Sequence, residues 1–501
     1  MNIVDLQQRA AVFHQDYFAG VSGEEVDDWE LTLFGTPAEP DLSHDNLALE
    51  LSRAGFSQDA RYVHAVGKWF LFDGSRWVRD DKLGHMTAIR EYLRAVADGL
   101  ERWAEEHAGT DAGRRQAATF IRSLKQAPTV NAVETMARSN ADLVATMDLF
   151  DADPLLLGTP GGTVDLRTGK LVKARRDHWL TKQTAVTPAS PGAAAPLWGR
   201  FLNRVFNGDQ ELIDFLQRAA GYALTGHTRE HKLLFLYGTG RNGKSVFLNT
   251  LFDVMADYSK RAAAQTFLDS HSERHPTDLA GLHGARLVAG SELPPGKVWN
   301  ESVIKDLTGG DVITARFMRQ DFFDYQPQFT LFIAGNHQPA FRGIDEAIRA
   351  RVVLVPFTVT IPADERDPEL PQKLQEEWPA ILRWMVDGAV AWQRQGLAVP
   401  DSVKAASLEY LDSEDTLGEF VADNLITAPG CGVTHAAMYK RFTEWQRASG
   451  LSNVWSKIAM TKALKERGLQ AARGGAGTRG FSDVRLSTMP SDYRAAKNGE
   501  F

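Results

Sequence analysis

The residues with the clearest chemical potential form a glycine-rich loop near the middle of the chain. Residues 238–245 read Gly-Thr-Gly-Arg-Asn-Gly-Lys-Ser, which matches the phosphate-binding pattern G-x-x-x-x-G-K-[ST]. Two glycines let backbone N–H groups face an anion, the lysine ammonium meets the β- and γ-phosphates, and the serine hydroxyl ligates Mg²⁺. The predicted nucleotide-binding residues are Gly238, Thr239, Gly240, Arg241, Asn242, Gly243, Lys244, Ser245 and Val246.

The elements on either side of this loop are those that such a loop requires. The apolar run LLFLY precedes it and the segment VFLNTLFDVMA follows it, which predicts a strand before and a helix after. The positive end of the helix dipole then adds to the attraction for phosphate. We therefore predict that the chain binds ATP with Mg²⁺.

Two further apolar runs end in polar residues that are candidates for ATP hydrolysis. RLVAGSE ends in Glu292, and FTLFIAGN ends in Asn336. Hydrolysis needs an acid that helps to hold Mg²⁺ and orients the attacking water, and Glu292 is the candidate for it. Asn336 is a candidate for bonding the γ-phosphate or that water. The alternatives are a solvated Glu at a strand end and an Asn that forms a turn.

Arginines precede another apolar run. DEAIRARVVLVPF carries Arg349 and Arg351, and an arginine here could stabilise charge in the transition state. A surface position or a salt bridge within the subunit is the alternative for each of them.

The order GTGRNGKS, RLVAGSE, VIKDLTGGDVITARFM, FTLFIAGN and DEAIRARVVLVPF resembles the superfamily 3 helicases, in particular the phage/plasmid and poxvirus primase-helicases. The resemblance implies an α/β chain with an AAA+-like P-loop ATPase core, a mainly helical domain before it, and helices and a winged helix after it. It assigns Lys244 and Ser245 to phosphate and Mg²⁺, Glu292 to the acidic strand end, and Asn336 to the polar sensor. Arg351 matches the arginine finger that acts on the neighbouring subunit's nucleotide.

The same resemblance implies contacts with single-stranded DNA. Trp299–Arg319 matches a family motif and the hairpin after it, which projects into a central channel. Its basic candidates are Lys305, Arg316 and Arg319, and for the last two an inter-subunit salt bridge is equally open. For Phe322 and Phe323, we expect core packing rather than base stacking.

Composition limits the class of protein. The 501 residues are 43% apolar and 24% charged, with one cysteine, Cys431. They contain neither a spanning apolar run nor a secretory signal, so we expect a soluble protein of a bacterial host's cytoplasm without a membrane partner. Residues 431–501 hold twelve Lys and Arg against five Asp and Glu, which is +7, whereas the first 430 carry −15. This basic end is either a DNA-binding domain or a solvated tail.

The chain is expected to fall into seven segments. Helix, helix and strand in its last part (MYKRFTEWQRASG, SKIAMTKALKERG, FSDVRLS) predict the winged helix. The boundaries are 1–44, poorly ordered; 45–185, mainly helical; 186–196, a linker; 197–360, the ATPase domain with a helical collar; 361–428, helical; 429–488, the winged helix; and 489–501, a tail.

We expect no primer synthesis from this chain. Many relatives carry a primase module built on paired aspartates, but Asp151 and Asp153 precede Pro154 in the stretch matched to the pre-motor region, and we interpret them as structural. The residues before Asp45 are too few for such a module; a separate primase or polymerase could supply primers.

These features predict an ATP-dependent DNA helicase or translocase for replication of a phage, prophage or plasmid. It would act as a homo-oligomer, a hexamer in the favoured form, with single-stranded DNA in the channel and duplex DNA on the winged helix. The alternatives are an ATP-switched replication initiator, a DNA-remodelling ATPase that does not separate strands, and a small-molecule kinase.

Overall fold

The computed structural model describes residues 40–269, 276–290, 294, 297–319, 321–341, 344–413, 415–449, 456–473 and 479–487. The chain forms two compact units. The first reaches Asp153 and includes 161–163 and 173–182, and the second comprises 154–160, 164–172 and the chain from Gln183 onward. The predicted linker 186–196 therefore lies inside the second unit, where the Ala189 N–H donates to the Pro379 carbonyl at 2.8 Å.

The first unit combines helices with a small antiparallel sheet. Its helices and strands are α1 (His44–Leu51), β1 (Ala60–Val63), β2 (Lys68–Phe72), β3 (Trp77–Arg79), α2 (Gly84–His107), α3 (Asp111–Leu124) and α4 (Ala127–Ala137). The sheet order is β1-β2-β3. The long amphipathic helix predicted from the spacing of Ile89, Leu93, Val96 and Leu100 is confirmed as α2, and all four side chains are buried.

Three short strands and two helices come next along the chain. They are β4 (Leu156–Thr159), β5 (Gly162–Asp165), β6 (Lys170–Val172), α5 (Pro196–Val205) and α6 (Gln210–Leu224). Helix α6 packs on α12 (Trp378–Gln395) through two glycines. A Cβ on Gly221 would lie 2.0 Å from the Ala389 nitrogen, and one on Gly388 would lie 2.0 Å from the Gln217 carbonyl oxygen. The two helix backbones are therefore in direct contact.

A parallel sheet of five strands forms the centre of the second unit, in the order β13-β7-β12-β9-β8. The strands and the helices that alternate with them are β7 (Leu233–Tyr237), α7 (Lys244–Met255), β8 (Ser259–Ala262), α8 (Pro276–Ala280), β9 (Leu287–Gly290), α9 (Glu301–Gly309), β12 (Thr330–Gly335), α10 (Glu346–Arg351) and β13 (Val352–Pro356). The predicted strands LLFLY, RLVAG, FTLFIAG and RVVLVPF are confirmed. They are continuous apolar runs because both faces of a parallel sheet are covered.

A hairpin extends from this unit between α9 and β12. Its strands β10 (Ile313–Ala315) and β11 (Phe323–Tyr325) pair antiparallel, with Thr314 opposite Asp324.

Helices follow the sheet, and a small separate core closes the described part of the chain. These elements are α11 (Leu370–Gln375), α12, α13 (Asp401–Ser413), α14 (Thr416–Asn424), β14 (Leu425–Thr434), α15 (His435–Ala448), α16 (Lys457–Glu466), β15 (Ala471–Arg473) and β16 (Arg479–Leu486). The predicted helix, helix and strand are present as α15, α16 and β16. Strand β14 begins inside the segment 361–428 that was expected to be helical. The described residues between 416 and 486, which we name the C-terminal module, share a core built on Phe420, Phe442 and Phe481.

In the part of the chain that the structure describes, the helices are all too short or too polar to span a bilayer.

Candidate functional site

The glycine-rich loop joins β7 to α7 at the carboxyl end of the sheet. Gly243 has φ +82°, and a Cβ there would lie 2.6 Å from Val205 Cγ2. A Cβ on Gly238 would lie 2.1 Å from Nδ2 of the Asn242 side chain. Both positions therefore require glycine, one for its backbone conformation and space and the other for space.

Lys244 lies buried at the first position of α7 and is only 5% exposed. Its Nζ donates to the Gly238 carbonyl at 2.6 Å, to Asn242 Oδ1 at 2.9 Å and to Asn336 Oδ1 at 3.0 Å. Burial lowers the pKa of the Lys244 ammonium. The structure thus brings together two of the predicted catalytic residues, Lys244 and Asn336, which follow the adjacent strands β7 and β12 in the chain.

Asn242 has a structural role that the sequence did not indicate. Its side chain is buried, and its Nδ2 donates to the Phe357 carbonyl at 3.0 Å while its Oδ1 accepts from Lys244. One amide thereby ties the loop to the chain just after β13. Asn242 was predicted as a loop position only, because nothing in its sequence neighbourhood marks a buried amide.

Ser245 is the second residue of α7 and is exposed at the helix N-terminus. Its hydroxyl oxygen is a hard donor of the kind that Mg²⁺ accepts, and Mg²⁺ sites often combine one or two protein ligands with substrate phosphates. The residue therefore fits the predicted metal. Glu292, the other predicted metal ligand, lies outside the described residues; β9 ends two residues before it, at Gly290.

Thr239, Gly240, Arg241 and Val246 complete the predicted nucleotide-binding set. Thr239 and Arg241 are exposed, and both Arg241 and Gly240 have positive φ, +55° and +106°. The Arg241 carbonyl accepts from the Ile361 N–H at 2.9 Å. This loop conformation is thus fixed by contacts at both Asn242 and Arg241.

Arg351 lies at the last position of α10 and bonds to α9. Its Nε donates to Thr308 Oγ1 at 3.1 Å, and its Nη1 donates to the Ala347 carbonyl at 3.0 Å. At the other end of α10, Asp345 caps the helix by accepting from the Ile348 N–H at 2.9 Å. Burial of Asp345 favours its neutral form, but the Lys305 ammonium and the Ile348 N–H outweigh burial and lower the pKa of this carboxyl.

Lys305, one of the three predicted DNA contacts, forms an ion pair with Asp345. The Lys305 ammonium is therefore paired with the carboxylate that caps α10. The two residues join α9 to α10 at one end, as Thr308 and Arg351 do at the other.

The other predicted DNA contacts lie on the hairpin. Arg316 places its guanidinium carbon 4.7 Å from the centre of the Phe322 ring, and Arg319 is exposed with φ +62°. Phe322 is 58% exposed, whereas Phe323 stacks on Phe317 with ring centres 5.6 Å apart. Core packing thus describes Phe323 but not Phe322, which lies at the exposed end of the hairpin.

Asp151 has structural partners in the first unit. Its Oδ1 accepts from the Thr181 N–H at 2.9 Å, and its Oδ2 accepts from the Thr181 hydroxyl and from the Lys182 ammonium at 2.7 Å. Burial favours the neutral acid, but Lys182 and Thr181 outweigh it and lower the pKa of Asp151. The carboxylate thus orders the segment around Thr181.

Two family models match the chain. The model described as "D5 N terminal like" matches residues 50–207, and a model described as "Family of unknown function (DUF5906)" matches residues 236–351. The second match covers the phosphate-binding loop, Asn336 and Arg351.

The chain is also similar in sequence to proteins of large DNA viruses. "Putative helicase L207/L206" of Acanthamoeba polyphaga mimivirus is 23% identical over 53% of this chain and 29% of its own length. "Putative helicase 022R" of Frog virus 3 (isolate Goorha) is 27% identical over 48% of this chain and 27% of its own length. "Putative helicase 121R" of Invertebrate iridescent virus 3 is 23% identical over 77% and 48%. The chain thus spans less than half the length of each of these relatives.

Among solved structures, the apo C-terminal region (305–718) of NrS-1 aligns with 87% of this chain and 99% of its own, at 10% identity and a TM-score of 0.46. The family models and the viral relatives together support the resemblance of this chain to the D5-like primase-helicases of phages and large DNA viruses.

Proposed function

We propose that this chain is an ATP-dependent DNA helicase or translocase that serves replication of a phage, prophage or plasmid. The observation that carries the proposal is the contact of Lys244, in a glycine-rich loop, with Asn336, which directly follows the neighbouring parallel strand β12. A buried lysine beside a polar strand end suits phosphate binding and phosphoryl transfer to water. The viral relatives, named as helicases, support the choice of DNA unwinding.

The core is proposed to be an AAA+-like P-loop ATPase of superfamily 3. The order β13-β7-β12-β9-β8 supports this class, because the loop strand β7 lies between β13 and β12. The ends of β7, β12 and β9 then meet at one edge of the sheet, where ligands of open α/β sheets bind.

The nucleotide is proposed to be ATP, with its phosphates on the loop and at the N-terminus of α7. Lys244 would exchange a carbonyl or amide partner for a phosphate oxygen, and Asn336 would orient the γ-phosphate or the attacking water. Ser245 and Glu292 would hold Mg²⁺, which neutralises charge on the β- and γ-phosphates when bound.

The active assembly is proposed to be a hexameric ring. Arg351 would stabilise transition-state charge on the neighbouring subunit's nucleotide, which requires a subunit contact. Arg316 and Arg319 on the hairpin would contact single-stranded DNA. Lys305 would hold the N-terminus of α10 in place through its ion pair with Asp345. The C-terminal module would bind duplex DNA as a winged helix, and a separate primase would supply primers in the host cytoplasm.

The test is ATPase activity of the purified chain with and without single-stranded DNA, together with its mass in the presence of nucleotide and unwinding of a forked duplex. The expected result is ATP turnover that DNA stimulates, a ring mass, and strand separation. Turnover and DNA stimulation without unwinding would favour the DNA-remodelling alternative. ATP binding without turnover would favour the ATP-switched initiator, and turnover that DNA leaves unchanged would contradict the motor.

A further inference from the structure

Helix α10, which carries Arg351, is joined to the C-terminal module through the buried carboxylate of Asp415. Asp415 is 5% exposed and caps α14 by accepting from the Gly418 N–H at 2.9 Å. The same carboxylate pairs with the Arg467 guanidinium, and Arg349 Nη2 of α10 lies 3.7 Å from its other oxygen. One acid therefore contacts two arginines from different parts of the unit.

Arg349, Asp415 and Arg467 form a junction between α10 and the C-terminal module, and Arg467 contacts both sides of it. It follows α16 directly in the chain, and its Nη2 donates to the Ile344 carbonyl at 3.3 Å, next to the residue that caps α10. Phe341 and Asp415 also form a parallel backbone bridge. The α16 end of the module is thus bonded to the backbone that leads into α10.

The junction has little room to shift. A Cβ on Gly418 would lie 2.4 Å from Asp415 Oδ2 and 2.9 Å from Arg467 Nη1. The acid and its partner are therefore packed closely against the first turn of α14. Loss of one member of a buried charge pair leaves the other without compensation, which is costly.

Helix α10 is consequently held from two directions. Lys305 and Thr308 of α9 bond to its two ends, and Asp415 of the junction bonds to Arg349 within it. Because α10 has only six residues, we expect a change at either support to displace Arg351. A displacement of about 1 Å in a catalytic group can lower a rate about 100-fold.

We propose that Asp415 and Arg467 are positioning residues that hold Arg351 in place for ATP hydrolysis, so that the C-terminal module contributes to turnover as well as to DNA binding. The proposal rests on the function proposed above, in which Arg351 acts on a neighbouring nucleotide. It adds a structural requirement, since the ATPase core would need the module docked through these two residues.

The test compares steady-state ATPase kinetics of the full chain in three variants. Arg467→Gln and Asp415→Asn remove the charge pair, and Arg394→Gln removes an exposed arginine of α12, outside the module. For the first two, we expect kcat to fall about tenfold, within the usual range of coupling between sites, with KM for ATP and the oligomer mass changed less than about twofold. Arg394→Gln should leave kcat unchanged.

A second comparison separates positioning from loss of folding. Arg467→Lys keeps a cation near Asp415 and should recover most of the lost kcat. In an Arg351→Lys background, Arg467→Gln should lower kcat less than about twofold, because its effect in the wild type passes through Arg351. Equal losses in both backgrounds, or wild-type kcat in Arg467→Gln and Asp415→Asn, would overturn the inference. A wild-type chain without ATP turnover would overturn the proposed function and this inference with it.

Discussion

Lys244 Nζ and Asn336 Oδ1 are 3.0 Å apart, although the two residues are separated by 92 positions in the chain. The contact follows from the register of the sheet, in which Tyr237 at the end of β7 lies beside Gly335 at the end of β12. The loop that follows β7 and the residue that follows β12 therefore reach the same site.

Replacement of the loop lysine should abolish ATP turnover. In Lys244→Met, a side chain of similar length remains but the ammonium is lost, and we expect kcat to fall more than about 100-fold because a preorganised charge is removed. Gly238, Asn242 and Asn336 would each lose a donor, so a modest loss of stability is expected too. Phosphate release and thermal unfolding measure the two effects. The control is Lys260→Met, an exposed lysine on β8, and equal activity in both variants would contradict the assignment.

Arg351→Ala should abolish turnover while leaving nucleotide binding intact. An arginine finger contributes about 10³- to 10⁵-fold to kcat in related phosphoryl transfers, whereas the phosphate-binding loop is untouched. The measurements are phosphate release and equilibrium binding of a labelled ATP analogue. Arg394→Ala, which removes an exposed arginine from α12, is the matched control.

Mixing experiments decide whether Arg351 acts across subunits. A mixture of Lys244→Met and Arg351→Ala chains contains interfaces with an intact lysine on one side and an intact arginine on the other. Such a mixture should regain part of the activity that each variant lacks alone. If turnover stayed complete in Arg351→Ala itself, the finger assignment would be wrong.

The hairpin variants separate a DNA contact from a subunit contact. Phe322→Ala should weaken single-stranded DNA binding by about 1–3 kcal/mol if bases stack on this exposed ring. Arg316→Ala should reduce the slope of log affinity against log salt by about one, as expected for a lost phosphate contact. Lys297→Ala removes another exposed lysine and should leave both measurements unchanged. A changed oligomer mass with an unchanged salt slope would instead favour the inter-subunit salt bridge.

The first unit offers a prediction about pH. Asp80 is nearly buried and accepts from the His85 N–H at 2.9 Å, the Gly84 N–H at 2.9 Å and His85 Nδ1 at 2.6 Å. Burial raises the pKa of this carboxyl, but the hydrogen bonds outweigh burial and the net shift is downward. The ionised form therefore stabilises the folded state. That stabilisation is complete above the unfolded pKa of about 4 and is lost as pH falls through the lower folded value.

Asp80→Asn should accordingly destabilise α2 by about 1–3 kcal/mol near neutral pH, because one carboxylate oxygen becomes a donor that faces other donors. Hydrogen exchange of residues 84–107 measures the local free energy of opening. The difference from wild type should shrink below about pH 4. Asp81→Asn changes an exposed neighbour and is the control; an equal loss in both variants would contradict the role of Asp80.

The sequence predicted the parts of the fold that depend on periodicity. Apolar runs such as LLFLY indicated the strands, and the spacing from Ile89 to Leu100 indicated α2, because each pattern reports which face is buried. The meeting of Lys244 and Asn336 could be anticipated only through the family resemblance, since strand order is not written in local spacing. The bonds of Asn242 to Phe357 and of Lys305 to Asp345 had no local signal at all. They join side chains that come together only after the sheet and helices have packed.

The contact of α6 with α12 at Gly221 and Gly388 has a consequence for protein engineering. A methyl group in place of an α-hydrogen of either glycine would collide with main-chain atoms, and these cannot rotate aside as a side chain can. Directed evolution for heat resistance should therefore leave both glycines untouched and collect its beneficial changes elsewhere. A design that transfers α6 to another scaffold must therefore transfer α12 with it.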